Sequence, residues 1–381
     1  MFTTIVAALA GTLLGTFTGL FPGIHVNLAA SILVFWGAKW IAPDALALII
    51  LTMAITHTFL DNIPAVYLNT PDADHVLASQ PGQLLLLQGR GHEAVKLLTT
   101  GALLATILGT TLTPAFIWLF PLAMHHLQPF LAIILLFALT TFILREKDAN
   151  TRIWATIVVL ASGTLGLLTL RSTLNEPLLP LLSGLFGISA LTISFLQHVV
   201  IPEQYATDQE TTRPTATLTA TLLGTLAGGT IALLPGLGPS QAGTLVGRTT
   251  GTSALILTGA INTANFVISL STMHALTKSR NGALEIVLGL IHTLDEHTLL
   301  IYTILALLTA GLATIITLSV SKHAARLLCK TNYHTLSITV ITLVVALVLW
   351  FSGTLGLLVL ITGAAIGLIP HLTGCNRSHA M

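Results

Sequence analysis

The residues best suited to chemistry in this chain sit at two interruptions of apolar sequence. Pro22-Gly23 and Pro235-Gly236-Leu237-Gly238-Pro239 each break a hydrophobic run in its middle. Proline removes a backbone donor and clashes with the preceding turn, while glycine permits non-helical dihedrals. In hydrocarbon, the freed amides and carbonyls must be buried by protein or line a cavity. Polar side chains follow at once: His25 and Asn27 after the first break, Ser240 and Gln241 after the second. A helix that restarts there aims its N-terminal amides at the break, and that end attracts anions. One such break could be an ordinary proline kink. Two in corresponding positions point to a binding site.

A second polar group is Thr56-His57-Thr58 with Asp61-Asn62, closing the third apolar segment, and Asn262-Thr263-Ala264-Asn265 is its counterpart further on. A titratable side chain within a bilayer segment is a candidate for ion coupling, which singles out His57 and Asp61. Asp61 also reads as an interfacial carboxylate, and Asn262 and Asn265 read equally as ligand contacts or as hydrogen-bonding glue between helices. The polar stretch 61–93 contains a leucine-rich middle, 76–87, expected to form an interfacial helix or lid. His125, His126, His292 and His297 fall at segment ends, where solvation or capping accounts for them. No metal-ligand spacing, HExxH or GxGD-type aspartate pair is present, so no metal, cofactor or catalytic residue is expected. Cys329 and Cys375 are too few for a disulfide framework and read as small membrane-facing or surface residues.

The elements that must carry these residues follow from composition. Of 381 residues, 54% are hydrophobic and only 8% charged, with a net charge of +1. A water-facing surface needs about 25% charged residues, so a soluble globule, and with it a nucleic-acid-binding protein, is excluded. Apolar runs of helical length exclude a porin-like barrel. The expected fold is an all-α polytopic membrane protein. Runs lie near 2–20, 24–42, 44–60, 94–122, 126–144, 153–170 and 177–196, then 216–234, 237–250, 252–275, 283–294, 297–320, 335–352 and 354–372, giving about 12–14 segments.

The chain also resembles itself. Gly11-Thr12-Leu13-Leu14-Gly15 before the first break matches Gly224-Thr225-Leu226-Ala227-Gly228 before the second, and the heptapeptide 162–168 recurs at 352–358. Duplication of an odd number of crossings implies two inverted repeats, 1–196 and 216–381, joined by a polar linker, 197–215. Basic residues at 278–280 and at Lys322, Arg326 and Lys330 place those loops, and both termini, on the cytoplasmic side of the plasma membrane; Arg145, Lys147 and Arg152 argue the other way.

These same residues resemble the large membrane subunit of the tripartite tricarboxylate transporters (TctA-like), in its shorter archaeal-type branch. The resemblance rests on the segments 19–27, 56–64, 71–74 and 91–95, and on 234–242, 262–265 and Lys278-Ser279-Arg280-Asn281-Gly282-Ala283. It implies a duplicated, inverted permease with Pro-Gly substrate loops. Full-length family members work with a small membrane subunit and a periplasmic binding protein, a partnership that this shorter form puts in question. Citrate would need several cationic groups, whereas only Arg248 and His25 lie near the loops. The expectation is a secondary carrier for a small organic anion of the di- or tricarboxylate class, working by alternating access with Na+ or H+ coupling. Its site would comprise Pro22, Gly23, His25, Asn27, Pro235, Gly236, Gly238, Ser240, Gln241, Asn262 and Asn265. A translocase of a lipid-linked phosphate is the alternative cargo reading, and a non-transporting assembly or sensor subunit is the reading from another class. Membrane lipid is the expected surrounding, and a homo-oligomer is compatible with it.

Overall fold

The structure is a computed structural model that describes residues 2–21, 26–68, 76–196, 202–205, 213–234, 238–246, 251–328 and 333–380. Every regular element among them is helical. The N-terminal half holds α1 (Phe2–Leu20), α2 (Val26–Gly37), α3 (Pro43–Leu60), α4 (Asn62–Tyr67), α5 (Val76–Leu87) and α6 (Gly91–Thr111). It continues with α7 (Thr113–Leu127), α8 (Leu131–Leu144), α9 (Ala149–Arg171), α10 (Leu178–Leu182) and α11 (Ser189–Leu196). The C-terminal half holds α12 (Pro214–Leu233), α13 (Pro239–Val246), α14 (Thr252–Leu276), α15 (Gly282–Ile291), α16 (Glu296–Leu328) and α17 (Tyr333–Thr373).

Nine helical stretches among the described residues are long and apolar enough to cross a bilayer, and three shorter apolar helices include α2 and α15. The outer surface suits that environment. Trp36, Trp40, Trp118 and Trp350 are all exposed, as are many leucines. Such rings favour membrane interfaces, and an apolar surface this extensive would aggregate in water. The many threonines are accommodated within their own helices: Thr12, Thr52, Thr99, Thr106, Thr221 and Thr258 each donate to the carbonyl four residues back. That bond satisfies the hydroxyl without a partner helix.

The core is built where small residues let backbones meet. α1 lies along α3 through Gly11, Gly15 and Gly19, and α12 lies along α14 through Gly224 and Gly228. The registers match. Gly15 faces Met53 and Thr56 as Gly228 faces Ile261 and Ala264. α6 then crosses α14 at a reciprocal contact, Gly101 against the Ile256 carbonyl and Gly259 against the Leu98 carbonyl. α16 packs on α3 and α6, presenting Ala306, Ala310 and Ala313, all fully buried. α3 and α14 are consequently buried along most of their length. A second, peripheral unit joins α17 to α10 and α11, whose connection widens into a π-helical turn, Ser183–Ile188. There Gly184 faces the Leu360 carbonyl and Gly363 the Leu181 carbonyl.

The runs 335–352 and 354–372 are, as expected, two helical stretches of α17 that meet at a kink at Gly353, whose φ of 66° favours glycine. Three details differ from the sequence reading. The run 94–122 divides at Leu112 into α6 and α7. The third segment does not close at Leu60; a 25-residue stretch, Pro43–Tyr67, continues helically past Asp61. Cys375 is buried rather than membrane-facing, since the C-terminal turn folds back on α9.

Candidate functional site

α1 ends at Leu20 and α12 at Leu233; α2 restarts at Val26 and α13 at Pro239. The Gly15–Gly228 register makes Leu20 and Leu233, where α1 and α12 end, equivalent positions, so the two breaks open at the same place. Pro22, Gly23 and His25, and likewise Pro235 and Gly236, lie outside the described residues. Their flanks are described. Asn27 on α2 and Ser240 on α13 occupy equivalent places in this register. Pro239 opens α13 where its missing donor costs nothing. The Gly238 amide donates to Gln241 Oε1 at 3.1 Å, which is the reciprocal half of a capping box. Gln241 therefore helps shape the break, a local role that the sequence reading of it as a ligand did not include. Ser240 and Gln241 are both buried.

The same register carries into α3 and α14, where His57 directly follows Thr56 and Asn265 directly follows Ala264. His57 and Asn265 are thus equivalent positions, each beside the glycine-packed partner helix just before its break. Their environments differ. The His57 Nδ1 lies 3.1 Å from Thr18 Oγ1 on α1. In α12, the place of Thr18 is taken by Ile231, buried and apolar. Accordingly, Asn265 Oδ1 is buried with no hydrogen-bond partner. A buried carbonyl without a donor is costly, so such a position favours a ligand that brings one.

Other candidates are placed as follows. Asp61 is buried at the junction of α3 and α4, not at an exposed interface. Thr56 and Thr58 donate to Thr52 and Ile55 carbonyls at 2.8 and 2.9 Å, so their hydroxyls serve their own helix. Thr58 also accepts from Thr263 Oγ1 at 3.3 Å, a direct link from α14 to α3. Asn262 is buried on α14. No group of three metal-ligating side chains occurs among the described residues.

Sequence reasoning missed a second buried polar group, where α4, α6 and α16 meet. Tyr67 Oη donates to the Ser321 carbonyl at 3.2 Å, and His92 Nδ1 lies 3.0 Å from Ser321 Oγ. Arg90 pairs with Glu93 through two nitrogens at 2.8 and 2.6 Å. The Gly91 amide donates to Gln204 Oε1 at 2.9 Å, and Gln204 Nε2 donates to the Leu86 carbonyl at 3.0 Å. Part of the polar segment between the halves, 202–205, is thereby docked on the α5–α6 turn. The only sequence signal was the density of polar residues at 89–93.

Broken, buried helices bearing polar side chains inside an all-α membrane bundle define the class of multi-pass transport proteins. Within that class the family is shown. The chain belongs to the tripartite tricarboxylate transporter TctA family, whose model matches residues 5–381. It is also similar to an uncharacterized protein of Methanocaldococcus jannaschii, 26% identical over 372 residues, covering 94% of this chain and 91% of that one. No solved structure gives a significant match.

Proposed function

We propose that the chain is a permease that carries a small organic anion of the di- or tricarboxylate class across the plasma membrane by alternating access. The observation that carries this reading is the pair of breaks opening at equivalent positions, after Leu20 and Leu233, each beside an equivalent polar side chain, His57 or Asn265, in a chain of a tricarboxylate transporter family. The duplicated registers support two repeats, related by inversion, whose breaks face a shared chamber. The anion would be held by backbone amides at the starts of α2 and α13, with Pro22, Gly23, His25, Asn27, Pro235, Gly236, Gly238 and Ser240 shaping the cradle. Asn262 and Asn265 add hydrogen bonds; the Asn265 carbonyl suits a hydroxyl or a protonated carboxyl. His57, held by Thr18, and Asp61 couple the movement to H+ or Na+. No residue acts as a catalyst. A small membrane subunit and a periplasmic binding protein are not required by this arrangement.

The test is uptake of labelled citrate and succinate into proteoliposomes under imposed proton and sodium gradients. Gradient-dependent uptake is expected. Flat uptake of both, together with movement of a fluorescent polyprenyl phosphate between leaflets, would favour the lipid-phosphate translocase. That second reading draws on the scarcity of cationic side chains, which suits one phosphate better than three carboxylates.

A further inference from the structure

The segment Asn281-Gly282-Ala283 has no role in the site as drawn so far, yet it touches it. Asn281 caps α15: its Oδ1 accepts from the Ala283 and Leu284 amides at 3.0 and 3.4 Å. Gly282 therefore stands in the first turn, where its amide is not needed for the helix ladder and an alanine would ordinarily be the better helix former. What requires glycine is a neighbour from the other half of the chain. α15 packs on α2 and α3. A Cβ at 282 would lie 2.7 Å from both Cγ and Nδ2 of Asn27 and 2.9 Å from its Oδ1. The three nearest atoms all belong to that one side-chain amide, and no backbone is among them. An alanine at 282 would thus turn the Asn27 amide aside instead of prising the helices apart.

We propose that Gly282 is a positioning residue for the binding site: by leaving its face of α15 bare, the C-terminal half fixes the orientation of the Asn27 amide on α2. This rests on the reading of Asn27 as part of the anion site. It assigns to α15 the task of holding that side chain from across the two halves of the chain. The site is then complete only when the two halves are seated on each other.

A double-mutant cycle read by calorimetric titration with citrate and with succinate tests this, using the full chain in detergent. Gly282→Ala should keep a cooperative thermal transition close to that of the unsubstituted chain, yet weaken binding about tenfold, the loss expected when one hydrogen bond to a charged ligand is misdirected. In the Asn27→Ala background, the same Gly282→Ala change should leave affinity unaltered, because no amide remains to be displaced. Equal weakening in both backgrounds, or none in either, overturns the positioning role. Absence of binding by the unsubstituted chain would reject the anion site itself and this inference with it. The unsubstituted titration separates that failure from the first.

Discussion

The two glycine-packed helix pairs share a register but not a tightness. In α1 with α3, three successive small positions, Gly11, Gly15 and Gly19, seat against backbone and Cβ atoms of the partner. In α12 with α14, Gly224 and Gly228 do the same, but the third position is Ala232, and a Cβ placed at Gly224 would first meet the Ala260 Cβ, at 2.6 Å. The second pair instead receives its closest approach from outside, where α6 crosses α14 at Gly101 and Gly259. α3 is met from outside by α15 and by α16, the helix that carries the buried Ala306, Ala310 and Ala313. The lesson is that two pairs in one register are closed differently from outside: α3 is packed by α15 and α16 of the C-terminal half, whereas α14 is crossed by α6 of the N-terminal half through glycines set against backbone. α14 also carries the Asn265 side chain, whose Oδ1 stands without a donor. The helix crossed at its backbone by α6 thus carries the polar group that invites a ligand.

The strongest way to break this comparison is at the α6–α14 crossing. Gly259→Val would drive a branched side chain into the Leu98 backbone, and neither helix can yield without moving the core. The loss is expected to exceed about 3 kcal/mol, at the upper end for overpacking, and should appear as failure to obtain monodisperse protein in detergent. Next come the hairpins. Gly11→Ala is expected to cost about 2–3 kcal/mol and Gly224→Ala about 1 kcal/mol, compared by thermal unfolding; a reversed order would refute the inequality between the pairs.

The equivalent polar positions sharpen the same contrast in function. His57→Ala should abolish the gradient dependence of uptake while sparing exchange, since it removes the titratable member and its hydrogen bond with Thr18. Asn265→Ala should raise KM about tenfold with coupling retained, by loss of one ligand hydrogen bond. Proteoliposome flux measured across a range of imposed gradients separates the two. The smallest effect is expected at the cap of α15: Asn281→Ala should cost about 1 kcal/mol of stability, read as a modest drop in melting temperature.

Much of the fold was legible because its signals are one-dimensional. Apolar runs, the Pro-Gly breaks and the repeated Gly-Thr-Leu-x-Gly fixed where helices lie and which segments correspond. The matching ends of α1 and α12, Leu20 and Leu233, follow the gap-free alignment. The site was legible only in part. His57 could be singled out as a titratable group, but not its bond to Thr18, because that partnership depends on how α1 is rotated against α3. The counterpart of His57 was assigned to a whole tetrapeptide, and only the glycine contacts narrow it to Asn265. Gly282 was visible as part of a motif, yet its neighbour is 255 positions away and belongs to another helix pair. Gln241 reads as a ligand in sequence because capping and ligation demand the same polar side chain.

The central claim is that both breaks contribute to one anion chamber. With Cys329 and Cys375 replaced by serine, single cysteines introduced as Asn27→Cys and Ser240→Cys can be labelled with a membrane-impermeant maleimide in proteoliposomes, with and without citrate or succinate. The account expects the same carboxylate to slow labelling at both positions, over the same concentration range. Protection at one position alone, or at neither while uptake persists, would contradict a shared site.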